Sequence, residues 1–221
     1  MDVIQIGSVT LPVTIIQSIV AIFAGILIMF LTLRKKVPEE KQVTDLYING
    51  AIIFVVIWKL SLIVFEPQLV IKSPLSLLYF TGGDWGLALG VLISIGYIIL
   101  KGRKNFRSVT VLYAGLVGMS GVMLVYHILE AIYFSAANVV DILNIAGLFA
   151  YLFWLIRMKI DMQAAFQYAL WFSIWQVLLS YLENKHADEG LFTAYQWTFI
   201  GLAAVALLFL FGNSSSKKGP S

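Results

Sequence analysis

Cysteine is absent from the 221 residues, which removes disulfide frameworks, thiolate nucleophiles and thiolate metal sites from consideration. Charge is scarce: 12% of the residues are Asp, Glu, Lys or Arg, against about 25% in a soluble domain. Histidine occurs twice, as His127 and His186. With no second histidine near the first, neither zinc nor any other metal site is expected. No serine–histidine–acid arrangement, phosphate loop or dinucleotide fingerprint is legible, so no cofactor is expected. What fills the chain instead is apolar: 60% of residues are hydrophobic and the mean hydropathy is +0.90. Such a composition belongs to a polytopic membrane protein.

Crossing a hydrocarbon core takes about 20 apolar residues in a helix. Seven segments qualify, at 9–33, 47–68, 84–101, 108–134, 139–158, 164–183 and 191–212. Their continuous apolar character argues against strands, whose residues would alternate. The expected fold class is all-α: a single seven-helix transmembrane domain over 1–212, followed by a small-residue, polar and disordered cytoplasmic tail over 213–221. Met1-Asp2-Val3 lacks the basic start of a signal peptide, so the first segment is expected to be retained. Arg34, Lys35, Lys36 and Lys41, then Lys101, Arg103, Lys104 and Arg107, then Arg157 and Lys159, then Lys217 and Lys218 all fall on one side of these segments. The opposite loops hold only Lys72 and Lys185 beside Glu66, Glu183, Asp188 and Glu189. The positive-inside rule then places the N-terminus outside and the C-terminus in the cytoplasm. With its bases confined to short loops, the net charge of +3 reports topology and gives no footprint for nucleic acid. Trp58, Trp85, Trp171, Trp175 and Trp197 fall toward the outer half, as candidates for an interfacial belt.

Most polar groups inside the apolar segments also fall in the outer half. Lys59 is in segment two and Asp84 opens segment three. His127 and Glu130 sit three apart near the end of segment four, Asp141 and Asn144 open segment five, and Gln176 lies in segment six. Residues three apart share a helix face, so these groups are expected to line one polar chamber. His127 and Glu130, with Asp84, are the candidates for acid–base chemistry. Asp141 and Asn144 are expected to cap or hydrogen-bond the start of segment five. Gly115, Gly118 and Gly121 read as a close helix-packing face, and His186 as a surface histidine.

The stretch from Lys59 to Gly90 carries the most information. An ammonium group in a spanning helix is costly and faces a cavity or a partner. Its alternatives are an ion pair with Asp84 or Glu130, snorkelling toward the outer surface, or contact with a lipid headgroup or substrate. Beyond it, Pro74 and the apolar patch Leu75-Ser76-Leu77-Leu78-Tyr79-Phe80 are too short to span and suit a short interfacial or re-entrant helix between segments two and three. Thr81-Gly82-Gly83-Asp84-Trp85-Gly86 follows, its glycines marking close backbone approach.

Taken in order, these residues resemble prolipoprotein diacylglyceryl transferase, the membrane enzyme that moves a diacylglyceryl group from phosphatidylglycerol to a lipobox cysteine. Ile6-Gly7-Ser8-Val9-Thr10-Leu11 precedes segment one, which ends in Arg34-Lys35-Lys36, and Asp45-Leu46-Tyr47 leads into segment two. Lys59 stands where that family has the arginine of a Gly-Arg-x-Gly-Tyr pattern. Ser73-Pro74-Leu75 parallels its Asp-Pro-Leu, Gly82-Gly83 its Gly-Gly, and Gly86-Leu87 through Gly90 the end of its His-Gly-Gly-Leu motif. The likeness is best over residues 6–104.

The departures are as specific. Asp84-Trp85-Gly86 replaces the family histidine, the Gly-Arg-x-Gly-Asn-Phe-x-Asn-Gly-Glu signature is missing, Gln176 stands where segment six should carry an arginine, and only Ser135–Asn138 separates segments four and five in place of a large head segment. The resemblance therefore implies a catalytically degenerate relative in the bacterial cytoplasmic membrane. Its outer cavity, with Lys59, Gly82, Gly83 and Gln176 as binding residues, would hold an anionic phospholipid such as phosphatidylglycerol, a lipoprotein or a membrane partner. Lysine replaces a bidentate arginine only as a point charge. Two alternatives stand beside it. One is an active, diverged lipid transferase with His127 as base, Glu130 or Asp84 orienting it and Lys59 on the phosphate. The other is a transporter or an accessory subunit of a membrane complex.

Overall fold

The computed structural model describes residues 3–6, 9–72, 83–134, 139–182 and 194–216. Among them seven helices of 19–27 residues dominate: α1 (Val13–Leu33), α2 (Glu40–Phe65), α4 (Gly83–Asn105), α5 (Ser108–Phe134), α6 (Val139–Arg157), α7 (Met162–Leu182) and α8 (Ala194–Ser216). A six-residue helix, α3 (Pro67–Lys72), follows α2. Four of the helices are long and apolar enough to cross a membrane, over Ile16–Leu33, Glu40–Phe65, Ser108–Tyr133 and Val139–Arg157. The outer surfaces of the long helices are apolar too: Phe23, Val64, Leu92, Ile132, Phe149 and Leu208 are each more than 60% exposed. In water such a surface would be a large unpaired apolar patch, whereas hydrocarbon solvates it. The chain is a helical, membrane-embedded protein.

The all-α expectation needs one correction. Two short strands, β1 (Val3–Ile6) and β2 (Val9–Pro12), pair antiparallel with Val3 opposite Pro12 and Ile6 opposite Val9. The first apolar segment, expected to be helical from residue 9, becomes helix only at Val13. Val3, Ile4, Ile6, Val9 and Thr10 are β-branched and favour a pleated strand over a helix. The last helix runs to Ser216, past the position at which a tail was expected to begin. A short helix does follow α2, with Pro67 at its first position, where the missing N–H costs nothing. The patch 75–80 expected to form it lies outside the described residues, as do Gly82, His186 and 217–221.

The chain divides into two compact units, Leu33–Val111 and Met1–Thr32 with Leu112–Ser221. The smaller unit is built on α2 and α4, packed antiparallel through small residues. A Cβ at Gly90 would lie 3.1 Å from the Phe54 ring and backbone, and one at Gly86 would run into Ser61. Ser94 Oγ donates to Gly50 O at 2.6 Å, and Tyr47 Oη donates to Val111 O at 2.6 Å. Gly86 and Gly90 are therefore accounted for by helix packing within this unit.

In the larger unit α1 lies antiparallel to α5 through a glycine seam. A Cβ at Gly25 would come within 2.8 Å of Val122 N and 2.9 Å of Gly118 O, and one at Gly121 within 3.2 Å of Gly25 Cα. Of the glycine face expected on segment four, Gly118 and Gly121 lie in this seam. Elsewhere in the unit, Tyr113 Oη donates to Leu155 O at 2.8 Å, Tyr151 Oη donates to Tyr168 O at 2.8 Å, and Phe166 stacks on Phe209 with centroids 4.0 Å apart. Buried hydroxyls are satisfied locally: Ser120 and Ser173 donate to the carbonyls of Leu116 and Ala169. Hydrocarbon offers no partner to a hydroxyl, so this back-bonding to the fourth preceding residue is the available solution.

Candidate functional site

Five helices of the larger unit carry polar side chains at the same end. Gln17 is in the first turns of α1, His127 and Glu130 near the end of α5, Asn144 near the start of α6, Gln176 and Ser180 near the end of α7, and Gln196 at the start of α8. Gln17, Asn144, Gln176 and Gln196 are buried. Antiparallel packing of consecutive helices is what brings an ending helix beside a beginning one.

At the centre is a line of contacts across three helices. Gln176 Nε2 donates to Asn144 Oδ1 at 3.5 Å. Asn144 Nδ2 lies 3.1 Å from His127 Nε2, and His127 Nδ1 lies 3.4 Å from Glu130 Oε2. With the Asn144 oxygen toward Gln176 and its nitrogen toward the ring, the amide serves both neighbours. In the tautomer that suits this orientation, His127 Nε2 accepts and Nδ1–H donates to the carboxylate. The donors then all run one way and end on Glu130, an arrangement in which each bond polarises the next. Exposure rises along the line, from 3% at Asn144 to 17% for the His127 side chain and 41% for that of Glu130. The charge thus sits where desolvation costs least.

A second, shorter line ties α8 to α7. Gln196 Nε2 donates to Ser180 Oγ at 2.8 Å, and Ser180 donates to Val177 O at 2.9 Å. Between α1 and α5, Gln17 Nε2 donates to Leu129 O at 3.4 Å, while Gln17 Oε1 is buried without a partner among the described residues. One turn from Asn144 along α6, Gly147 receives the Trp175 indole so closely that a Cβ would lie 2.6 Å from its ring. The Trp175 N–H is likewise buried without a partner among the described residues.

Several expectations change on these placements. Asn144 sits inside α6 and spends its side chain on His127 and Gln176, so it is no cap; Asp141 does occupy the first turn. Gln176 joins His127 and Glu130 through Asn144. Lys59, half-buried on α2, and Gly83, at the start of α4, belong to the smaller unit. The side chain of Asp84 lies outside the described residues. Of the five tryptophans expected toward the outer half, Trp85, Trp171 and Trp197 are well exposed, but Trp58 and Trp175 bury their indole N–H groups. Gln17, Gln196 and Ser180 join the polar end without having been expected there.

No family model, no curated protein and no solved structure matches this chain.

Proposed function

We propose that this chain is a seven-span protein of a bacterial cytoplasmic membrane, with its N-terminus outside. In this reading it is a non-catalytic relative of prolipoprotein diacylglyceryl transferase that binds an anionic phospholipid, a lipoprotein or a membrane partner at its outer polar end. The seven-span topology adds α4, α7 and α8 to the four long apolar helices on length: at 23, 21 and 23 residues they reach about 32–35 Å at 1.5 Å per residue, comparable with a core of about 30 Å, although the apolar stretch of α8 is the shorter Gln196–Phe211. Orientation rests on the loop charges. Arg157 and Lys159 are exposed at the end of the larger unit opposite its polar end, and Arg34, Lys35, Lys104 and Arg107 are exposed at the helix ends they flank.

Binding is favoured over catalysis by one observation: both ring nitrogens of His127 are occupied by the protein. In a histidine–acid dyad the carboxylate holds Nδ1 and leaves Nε2 to take the substrate proton. Here the Asn144 side-chain amide stands 3.1 Å from Nε2, so the nitrogen that would act as base is already engaged within the protein. The decisive experiment is complementation. Expressed in cells depleted of prolipoprotein diacylglyceryl transferase, this chain is expected to leave lipoproteins immature. Maturation restored by the chain and abolished by His127→Ala would overturn this reading in favour of an active, diverged transferase.

A further inference from the structure

Positive charge is shared unevenly between the two units. In the smaller unit Arg34, Lys35 and Lys41 lie around the start of α2, and Lys101, Arg103, Lys104 and Arg107 around the end of α4; all are exposed. Because α2 and α4 run antiparallel, the two groups share one end of the unit. Gly102, between Lys101 and Arg103, is packed so closely that a Cβ there would lie 3.4 Å from Leu46 Cδ2, and Leu46 follows Lys41 by a little over one turn. The acids at this end are Glu39, Glu40 and Asp45, too few to balance the bases. Among the described residues no carboxylate oxygen comes within 4.0 Å of any of these bases. In the larger unit, the end away from the amide line carries Arg157 and Lys159 beside Asp161. Arg157 is engaged there, 4.4 Å over the Phe153 ring.

We infer that this basic end of the α2–α4 pair binds the headgroups of anionic phospholipids in the leaflet it faces. The inference rests on the reading of α4 as a span and adds a lipid surface distinct from the His127–Asn144–Gln176 line. Depth is what selects a lipid over a soluble anion. The exposed apolar surface of α4 runs to Ile99 and Leu100, and the bases begin at the next residue. From Leu100 to Lys104 is about 6 Å along the axis at 1.5 Å per residue. One headgroup layer occupies about 5–8 Å beyond the hydrocarbon, so Lys101, Arg103 and Lys104 stand inside it, where the anion present is lipid phosphate. A zwitterionic headgroup cancels its own phosphate, whereas an anionic one does not, so an excess of bases prefers the second. The long stems of lysine and arginine can lie along the apolar surface while their charges stay among the headgroups. Spread over two loops, the bases suit several headgroups side by side.

The test uses the full chain in phosphatidylcholine vesicles doped with phosphatidylglycerol that carries a diazirine on its headgroup, and in parallel with a headgroup-diazirine phosphatidylcholine. Either orientation in the vesicle presents the basic end to a leaflet that holds the probe. Cross-links mapped by mass spectrometry are expected to favour the anionic probe about five-fold at residues 34–45 and 101–107, the change that ~1 kcal/mol of attraction produces. That preference should vanish as salt rises from about 0.1 to 1 M, which shortens the screening length from about 10 to 3 Å. At 157–161 the two probes should label alike. Lys101→Gln with Lys104→Gln is expected to lower the preference at 34–45 as well as locally, since the two loops form one surface. Arg157→Gln with Lys159→Gln should leave it unchanged. Equal labelling by both probes at low salt would overturn the inference and leave the bases to topology or to a soluble acidic partner. A preference equally strong at 157–161 would overturn it too, because any interfacial base would then do the same. The wild-type map is read without the variants, so a misfolded variant does not rescue the idea. A tail-diazirine probe reads α4 separately. No labelling of Leu92 removes the span and this surface with it, whereas labelling of Leu92 without headgroup preference removes the surface alone. An anionic preference confined to the Gln196 end would keep lipid binding at the polar end and overturn this site.

Discussion

Asn144 on α6 faces the Nε2 of His127 on α5 at 3.1 Å, and the same amide accepts from Gln176 on α7 at 3.5 Å. One buried side chain therefore couples three helices, and its chemistry is asymmetric: a donor is needed on one side and an acceptor on the other. Replacement by Leu keeps the volume near and removes both. Leaving buried polar groups unpartnered costs about 1–3 kcal/mol, so Asn144→Leu is expected to lower the unfolding midpoint in detergent by several degrees. Between Asn144→Leu and Gln176→Leu a double-mutant cycle should give a coupling of about 0.6–1.7 kcal/mol, the range of interhelical hydrogen bonds in membranes. Additive effects would show that the 3.5 Å contact contributes nothing.

The glycine seam between α1 and α5 makes a sharper contrast. A Cβ at Gly25 meets backbone, Val122 N at 2.8 Å and Gly118 O at 2.9 Å, whereas one at Gly96 meets nothing within 4 Å. Backbone cannot rotate away as a side-chain tip can. Gly25→Ala is therefore expected to push α1 from α5 and destabilise by about 1–3 kcal/mol. Gly96→Ala is expected to be neutral or to stabilise by about 0.5–1 kcal/mol, because alanine loses less entropy in a helix. Thermal unfolding of the two variants, side by side, reads the difference. Equal midpoints would mean that the seam is loose.

Apolar run length alone makes the long helices legible in the sequence, and the spacing of Gly118 and Gly121 makes a packing face legible. Which face of a helix points inward is much harder to read. A helix that is apolar all round lacks the polar–apolar alternation that tells inside from outside, so nothing in the pattern separates inward Trp175 from exposed Trp171. The role of Asn144 is hidden for a related reason: near a helix start, asparagine suggests a cap, and only the antiparallel neighbour reveals the histidine opposite it. Gln17 and Gln196 are inconspicuous because an uncharged amide barely dents an apolar run. A charge dents it far more, which gives Lys59 in the smaller unit a prominence that the amide line lacks. The hairpin at Val3–Pro12 is masked by a run that reads continuously into α1.

The loop between α1 and α2 carries a pH signature. Burial lowers the Lys36 amine below its ordinary range, because the charged form is the one that desolvation penalises. Its folded value lies under its unfolded value, so between the two the folded chain binds fewer protons there. The contribution of Lys36 to stability accordingly rises with pH through that window and is most unfavourable below it. Pulsed acylation read by mass spectrometry should give Lys36 a half-reaction pH below the ordinary lysine value of ~10.4. In unfolding denaturant that midpoint should move up. A midpoint unchanged by denaturant would mean that the amine is hydrated in the folded chain.

The absence of cysteine makes the orientation directly testable, since every introduced thiol is a unique label. Glu66 ends α2, and Asp161 precedes α7 in the same loop as Arg157 and Lys159; both acids are exposed. Topology set by the loop bases places Glu66 outside and Asp161 in the cytoplasm. A membrane-impermeant maleimide added to intact cells is expected to label Glu66→Cys but to reach Asp161→Cys only after lysis. Arg34→Cys, among the bases after α1, should behave like Asp161→Cys. The reverse pattern would invert the orientation and put the His127–Asn144–Gln176 line on the cytoplasmic side. In the seven-span arrangement three crossings, α4, α5 and α6, carry the chain from Glu66 to Asp161. An odd number must leave the two sites on opposite sides, so labelling of both in intact cells would mean that one of these three helices does not span.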